Sequence, residues 1–249
     1  MGSPLAGRVA IVTGGGQGMG RAHCIELAKR GAQIAVLDLD GDTASHVASE
    51  IEAAGGTAIG FTCDVTSREM VENVVDAVVA AWDRIDIVVS NAGLVNDERG
   101  IEDTDDAEWR RMIEVNLAGC LNITRATVPW VKKSATGRYV IISSAWGQVP
   151  PGHSYSYIAA KGALMAFAKN LAVELAPFQI TANSIAPGSI RTRMIPDPER
   201  ELEMYPVPIG RLAEPEEISY LICYLASDEA AFMTGQTLGI NGGTPIVGI

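Results

Sequence analysis

The chain is predicted to fold as an α/β protein, a doubly wound parallel sheet of about seven strands flanked by helices, in a single domain spanning residues 1–249. Three observations lead there. Short β-branched runs alternate with longer segments whose apolar residues recur every three or four positions, the pattern of strands buried on both faces and helices packed over them. The first run stops at a glycine-rich turn that opens a helix. The 249 residues are 47% hydrophobic and contain no Pro/Gly/Ser-rich spacer, long charge run or repeat that would divide the core.

Arg8 to Thr13 (RVAIVT) is the first buried strand. GGGQGMG follows and leads into a helix, RAHCIELAKRG, that closes at Gly31. Gly14, Gly18 and Gly20 allow a tight turn and close approach of a ligand, and the helix N-terminus offers unpaired amides to a phosphate. Gln17 and Met19 belong to the same set of candidate contacts. Glycines also serve ordinary turns, but a strand before and a helix after are the context a dinucleotide turn requires.

The second strand, QIAVLD, ends at Asp38, twenty residues past Gly18, where a Rossmann-like fold sets an acid against the adenosine ribose. A carboxylate there accepts hydrogen bonds from both ribose hydroxyls and repels a 2′-phosphate. Gln17, Leu39 and Asp40 bring no compensating cation, so NAD is expected rather than NADP, with Leu39 beside the ribose. The competing reading makes Asp38 a helix cap or an exposed loop acid.

DTASHVASEIEAAGG is the next helix and TAIGFTCDV the third strand. Asp64 and Val65 lie just past its carboxyl end, on the side where such sheets bind ligands, and are expected to flank the adenine. SREMVENVVDAVVAAWDRI is another amphipathic helix. IDIVVSNAG is a fourth strand running into Asn91, Ala92 and Gly93, small residues that let a cofactor lie near the backbone; an isolated Asn-Ala-Gly would merely cap a turn.

EWRRMIEVNLAGCLNITRATVPWV reads as one long buried helix in which Asn116 is a poor helix former. GRYVIISSAWG is a fifth strand, and QITANSIAPG a sixth that stops at Pro187-Gly188. TGQTLGINGG is the last strand. Between the fifth and sixth lies SYSYIAAKGALMAFAKNLAVELA, a helix of about four to six turns. Tyr157 and Lys161 are four residues apart on it, on one face, where the ammonium is expected to lower the phenol pKa. Alone, such a pair is weak, since most are simply solvated.

A formal net charge of -11 argues against nucleic acid or an anionic membrane surface as partner. No stretch approaches a membrane span or a signal-peptide core, and Gly2 is followed by Ala6 where a myristoylation motif needs Ser or Thr, so a cytoplasmic location is expected. Cys24, Cys63, Cys120 and Cys223 are far apart and read as buried thiols in a reducing compartment. His23, His46 and His153 form no ligand set at recognisable spacing, so no metal is expected.

Taken together, TGGGQGMG, NAG at 91–93 and Tyr157-x-x-x-Lys161 resemble the short-chain dehydrogenase/reductase family in its compact form, over nearly the whole chain. The resemblance implies hydride transfer between a nicotinamide and a carbinol or carbonyl carbon. It gives Tyr157 the proton, and Ser144, thirteen residues before it, a hydrogen bond to the substrate oxygen, with Ser143 as the other candidate. Adjacent strand residues point to opposite faces, so only one of the two serines is expected at the substrate. Lys161 would hold the nicotinamide ribose, and Asn116, kinking its helix, would pass protons from Lys161 to solvent through water; the competing reading is an asparagine satisfied by backbone carbonyls. Pro187 and Gly188 would pass under the nicotinamide, with Ile190 and Thr192 at its carboxamide. Asn241 stands where many members have an acid.

The substrate is expected to be a secondary alcohol or ketone on a largely hydrophobic, cyclic or other, skeleton. The family builds a variable lid at about 189–213, and here Met194, Met204 and Tyr205 make it partly apolar. Leu94, Val95, Trp146, His153 and Tyr155 are further pocket candidates. A 3-oxoacyl-thioester reductase is the alternative, although such enzymes generally use NADP, which Asp38 disfavours. An epimerase of the family's extended branch would need a larger C-terminal part, and a catalytically silent nucleotide sensor would not need all four of Asn116, Ser144, Tyr157 and Lys161. The helices bearing Asn116 and Tyr157 are apolar on more than one face, and the resemblance implies a homotetramer, with the tail TPIVGI at a second interface.

Overall fold

The computed structural model describes residues 3–95 and 100–244. Seven strands form one parallel sheet: β1 Val9–Thr13, β2 Gln33–Asp38, β3 Thr57–Thr62, β4 Ile87–Ser90, β5 Arg138–Ile142, β6 Thr181–Pro187 and β7 Thr237–Ile240. Their order is β3-β2-β1-β4-β5-β6-β7. The order reverses between β1 and β4, where Ala10 lies opposite Ile87. A crevice opens at the carboxyl ends of the strands beside such a reversal.

Strands buried on both faces are apolar at most positions, and β1, VAIVT, is buried throughout. One face packs against α1 (Gly18–Lys29), α2 (Gly41–Ala53) and α8 (Pro215–Ala226), through Val12, Leu27, Val36, Val47 and Ile222. The other packs against α3 (Arg68–Trp82), α5 (Gly119–Val131) and α6 (Tyr155–Leu175), through Ile11, Leu37, Val75, Ile123 and Leu164. Two short helices complete the set, α4 (Asp106–Ile113) and α7 (Pro198–Met204).

The long helix expected across Asn116 breaks at that residue, where the resemblance implied a kink. α4 and α5 are joined by a π-helical turn, Glu114–Ala118, with Asn116 at its centre and 1% exposed. Asn116 Nδ2 donates to the carbonyls of Met112 (3.0 Å) and Leu94 (3.1 Å), and its Oδ1 accepts from the Leu94 amide (3.2 Å). A side chain that offers the backbone three hydrogen bonds competes with the regular helical ladder, and the ladder widens there.

The tail from Pro245 to Ile249, expected to extend an interface, lies outside the described residues. No helix among the described residues is long and apolar enough to cross a membrane.

Candidate active site

A cavity of about 890 Å³ lies over the carboxyl ends of β1, β2, β3 and β4. Its floor is the glycine turn. Gly14 and Gly18 have φ of +62° and +53°, and a Cβ on Gly20 would lie 1.9 Å from the Gly14 carbonyl oxygen, so the helix can start this close to the strand only without a side chain. Gln17 precedes α1 without a side-chain cap, and Gly18, Met19 and Gly20 all line the cavity. The amides of the first turn therefore face it unpaired, as an anion site requires.

Asn91 secures this turn from the far side of the reversal. Its Nδ2 donates to the carbonyls of Thr13 (3.0 Å) and Gly14 (3.1 Å), while the amides of Asn91 and Ala92 both donate to Thr13 Oγ1 at 3.0 Å. The Asn-Ala-Gly stretch thus locks one motif onto the other as well as lining the cavity.

Asp38 is 8% exposed and lines the cavity; its Oδ2 accepts from the Gly16 amide at 2.9 Å and its Oδ1 from the Asp40 amide at 3.2 Å. The cap of α2 is Asp40, which accepts from Asp42 and Thr43, so Asp38 is neither a cap nor an exposed acid. Leu39, 70% exposed, lines the same rim, and Asp64 and Val65 line the wall after β3. A diphosphate-bridged dinucleotide fits these groups: amides for the phosphates, a carboxylate for the ribose and small residues under the chain.

At the inner end Gly93 brings the cavity to the chemical groups. A Cβ on Gly93 would lie 2.6 Å from Asn116 Oδ1 and 3.2 Å from Lys161 Nζ. Lys161 is 5% exposed and donates to the Ile142 carbonyl at 3.0 Å. Burial lowers its pKa to about 8. The serine pair divides as alternation requires, although β5 has already ended at Ile142. Ser143 Oγ turns back to the Lys161 carbonyl (2.6 Å), whereas Ser144 reaches the Tyr157 side chain and accepts from the Trp146 amide at 3.2 Å.

The expectation for the phenol is reversed. Burial pushes the Tyr157 pKa above its ordinary value, and the Ser144 hydrogen bond offsets only part of the shift. Lys161 Nζ is one turn away, 5.7 Å from the ring centroid, but it is engaged with a carbonyl and is itself half discharged near neutral to mildly alkaline pH. Spacing set the two groups on one face; desolvation of both decided the sign.

Beside Tyr157 stands a group of rings. Trp146 lies on a 3₁₀ turn, Ala145–Gly147, that rests directly on α6, since a Cβ on Gly147 would be 3.0 Å from the Gly162 amide. The Trp146 ring meets Tyr157 (6.3 Å), His153 (5.1 Å) and Tyr205 (5.3 Å) edge-on.

Of the remaining candidates, Ala92, Leu94, Thr192 and Met194 line the cavity. Pro187 and Gly188 end β6 just outside it, and Gly188 packs against Asn241, where a Cβ would lie 2.8 Å from the Asn241 Cα. Ile190 does not offer its side chain to a ligand: it is 4% exposed in the core, and its backbone bridges to Ala213. Val95 and Met204 are exposed, and Tyr155 stands exposed at the first position of α6. All four cysteines are buried and unpaired.

Local spacing missed one group. Arg193 lines the cavity and donates through Nη2 to Gln17 Oε1, so a cation does reach the glycine turn, from 176 residues away. Arg111, Glu114 and Val115 also line the cavity from α4 and the π-helical turn. Only tertiary packing brings any of these to the cavity.

Residues 14–245 match the model of the Enoyl-(Acyl carrier protein) reductase family. The chain is 38% identical to a cyclopentanol dehydrogenase of Comamonas sp. over 242 residues, 95% of this chain and 96% of that protein. It is 39% identical to a trans-4-hydroxycyclohexanecarboxylate dehydrogenase of Sinomonas cyclohexanicum, covering 96% and 93%. A 3-oxoacyl-(acyl-carrier-protein) reductase FabG of Thermotoga maritima is 35% identical over 97% of this chain and 99% of that one. Among solved structures, a short-chain type dehydrogenase/reductase from Mycobacterium marinum superposes with a TM-score of 0.92 at 33% identity, covering 98% and 97%. With its parallel seven-stranded sheet, its glycine turn and relatives that span nearly its full length, the chain belongs to the short-chain dehydrogenase/reductase family.

Proposed function

We propose that the whole chain is one NAD-binding domain, with a lid at about 189–213, that interconverts a secondary alcohol and a ketone on a compact hydrophobic, cyclic skeleton. The observation that carries this reading is that Ser144 meets Tyr157, and Lys161 stands one turn from Tyr157 and next to Gly93, which lines the cavity, although the three side chains themselves are not among its lining. Two of the relatives are named for alicyclic alcohols, which favours that substrate class.

A nicotinamide held there supplies or takes up the hydride. Gly14, Gln17, Gly18, Met19 and Gly20 would hold its phosphates, Asp38 the adenosine ribose, Asp64 and Val65 the adenine, and Lys161 the nicotinamide ribose. Pro187, Gly188, the Ile190 backbone and Thr192 would border the nicotinamide. In oxidation Tyr157, as phenolate, takes the hydroxyl proton. Ser144 donates to the substrate oxygen and stabilises charge as it develops. Asn116 connects Lys161 to solvent through water. The π-helical turn supports this last role because it leaves backbone carbonyls outside the helical ladder, ready to hold a water beside a buried ammonium. The protein is proposed to work in the cytoplasm as a homotetramer.

The test is binding of NADH and NADPH by fluorescence, followed by NAD⁺ reduction with cyclopentanol, cyclohexanol and open-chain secondary alcohols. Tight NADH binding with turnover of cyclic alcohols is expected. NADH binding without turnover of any alcohol would favour a sensor. A 3-oxoacyl-thioester reductase using NADPH is the second reading, favoured by the Arg193 cation at Gln17 and by the Thermotoga relative. Preference for NADPH with an acyl thioester would establish it instead.

A further inference from the structure

We infer that His153 and Tyr205 form a latch that fixes α7 over Tyr157 and so decides which substrates reach it. The inference rests on the dehydrogenase reading for what the latch selects, but not for its existence.

α7 fully buries none of its side chains, with Leu202 only half-buried, so the hydrophobic effect holds it weakly. Its position is set by tethers along its length. Near its middle Glu201 Oε1 accepts from Ser189 Oγ at 2.7 Å. At its carboxyl end the capping residue, Tyr205, meets His153 Nε2 through its hydroxyl at 2.9 Å. The other ring nitrogen, Nδ1, lies 3.1 Å from Ser154 Oγ. With the proton on Nδ1, one neutral imidazole satisfies both bonds, donating to the serine and accepting from the phenol.

His153 is itself held at a costly point of backbone. Gly152 has φ of +97° and Ser154, the residue before α6, has φ of +53°, a left-handed conformation that an L side chain adopts at a cost of about 1 kcal/mol or more. A buried serine in that conformation persists where its surroundings require it. Here the kink turns His153 toward the lid while Tyr157, three residues into α6, stays in the site. Trp146 fills the angle, with its ring edge-on to His153, Tyr205 and Tyr157.

The latch therefore closes a wall of three aromatic rings beside the phenol. Flat apolar walls at fixed separation suit a compact ring and exclude a long chain unless α7 moves. His153 and Tyr205 are in this sense specificity-determining and positioning residues; neither touches the transferred proton.

The experiment pairs kinetics with amide hydrogen exchange across residues 198–205 on the full chain. Tyr205→Phe keeps the ring and removes the bond. It is expected to speed exchange in α7 about five- to tenfold, the range of one net hydrogen bond. KM for cyclopentanol should rise by a similar factor, kcat should change little, NADH affinity should stay, and preference over long open-chain alcohols should fall. His153→Gln, which can still pair with the phenol, should restore most of the protection that His153→Phe loses, and the double change to Phe at both positions should cost no more than one. Unchanged exchange in Tyr205→Phe, or additive losses in the double variant, would overturn the latch. Absence of turnover with every alcohol in the unaltered protein would instead remove the dehydrogenase reading, and exchange alone would then decide the latch.

Discussion

In the proposed reaction Tyr157 exchanges a proton from a place that resists charge. Removing its hydroxyl in Tyr157→Phe should lower turnover about 10²- to 10⁴-fold while NADH binding stays nearly intact; substantial residual activity would mean the proton comes from elsewhere. Its raised pKa also gives a sign. Alcohol oxidation needs the phenolate, so its rate should climb as pH rises into the alkaline range, whereas ketone reduction needs the phenol and should be favoured toward neutral pH. Oxidation with kcat/KM flat from about pH 7 to about pH 10 would count against this assignment. Replacing Asp38 with Ser and Leu39 with Arg removes the repelling carboxylate and adds a cation, and should shift preference toward NADPH by about tenfold or more, read from the ratio of the two affinities. At this scale the sequence told which groups meet but not their balance. The spacing of Tyr157 and Lys161 was legible; that burial would outweigh attraction depended on side chains far away in the chain. The approach of Arg193 to Gln17 was hidden for the same reason.

At the scale of elements, the strands were legible as short runs bounded by turn residues: QIAVLD was read and is β2, Gln33–Asp38. In the helix from 108 to 131 the kink at Asn116 was expected from the resemblance, but its form, a π-helical turn, was not legible because such a turn leaves no composition signature beyond a single asparagine. Asn116→Ala would strip three hydrogen bonds from Leu94 and Met112, and should cost about 2–3 kcal/mol in urea unfolding together with a loss of turnover. Gly20→Ala tests the other junction. Its methyl would meet a backbone oxygen, which cannot swing aside as a flexible side chain can, so the turn must open and NADH affinity should fall by about tenfold or more.

The whole molecule carries a buried histidine outside the site. His23 is fully buried between α1 and α8, with Nδ1 2.7 Å from Ser219 Oγ, and burial lowers its pKa from 6.5 to about 3. The unfolded chain takes up this proton near pH 6.5 and the folded chain only near pH 3. Unfolding therefore binds a proton between those values, and stability falls with decreasing pH by up to about 1.4 kcal/mol per unit. His23→Leu leaves Ser219 bonded to the Pro215 carbonyl and should flatten that part of the decline in urea melts taken between about pH 6 and about pH 4. An equal slope in both proteins would show that other groups govern it.

The strand order also bears on how the protein is made. β1 leaves the ribosome before the other six strands, and it pairs with β2 after a short connection, Val9 with Gln33. Its other edge waits for β4, where Ala10 meets Ile87. Until some eighty further residues are synthesised, a largely apolar strand presents an unpaired edge that any like strand could match. Nascent chains halted before Ser90 should thus be the ones that need a holding chaperone, and arrest past that point should relieve the need.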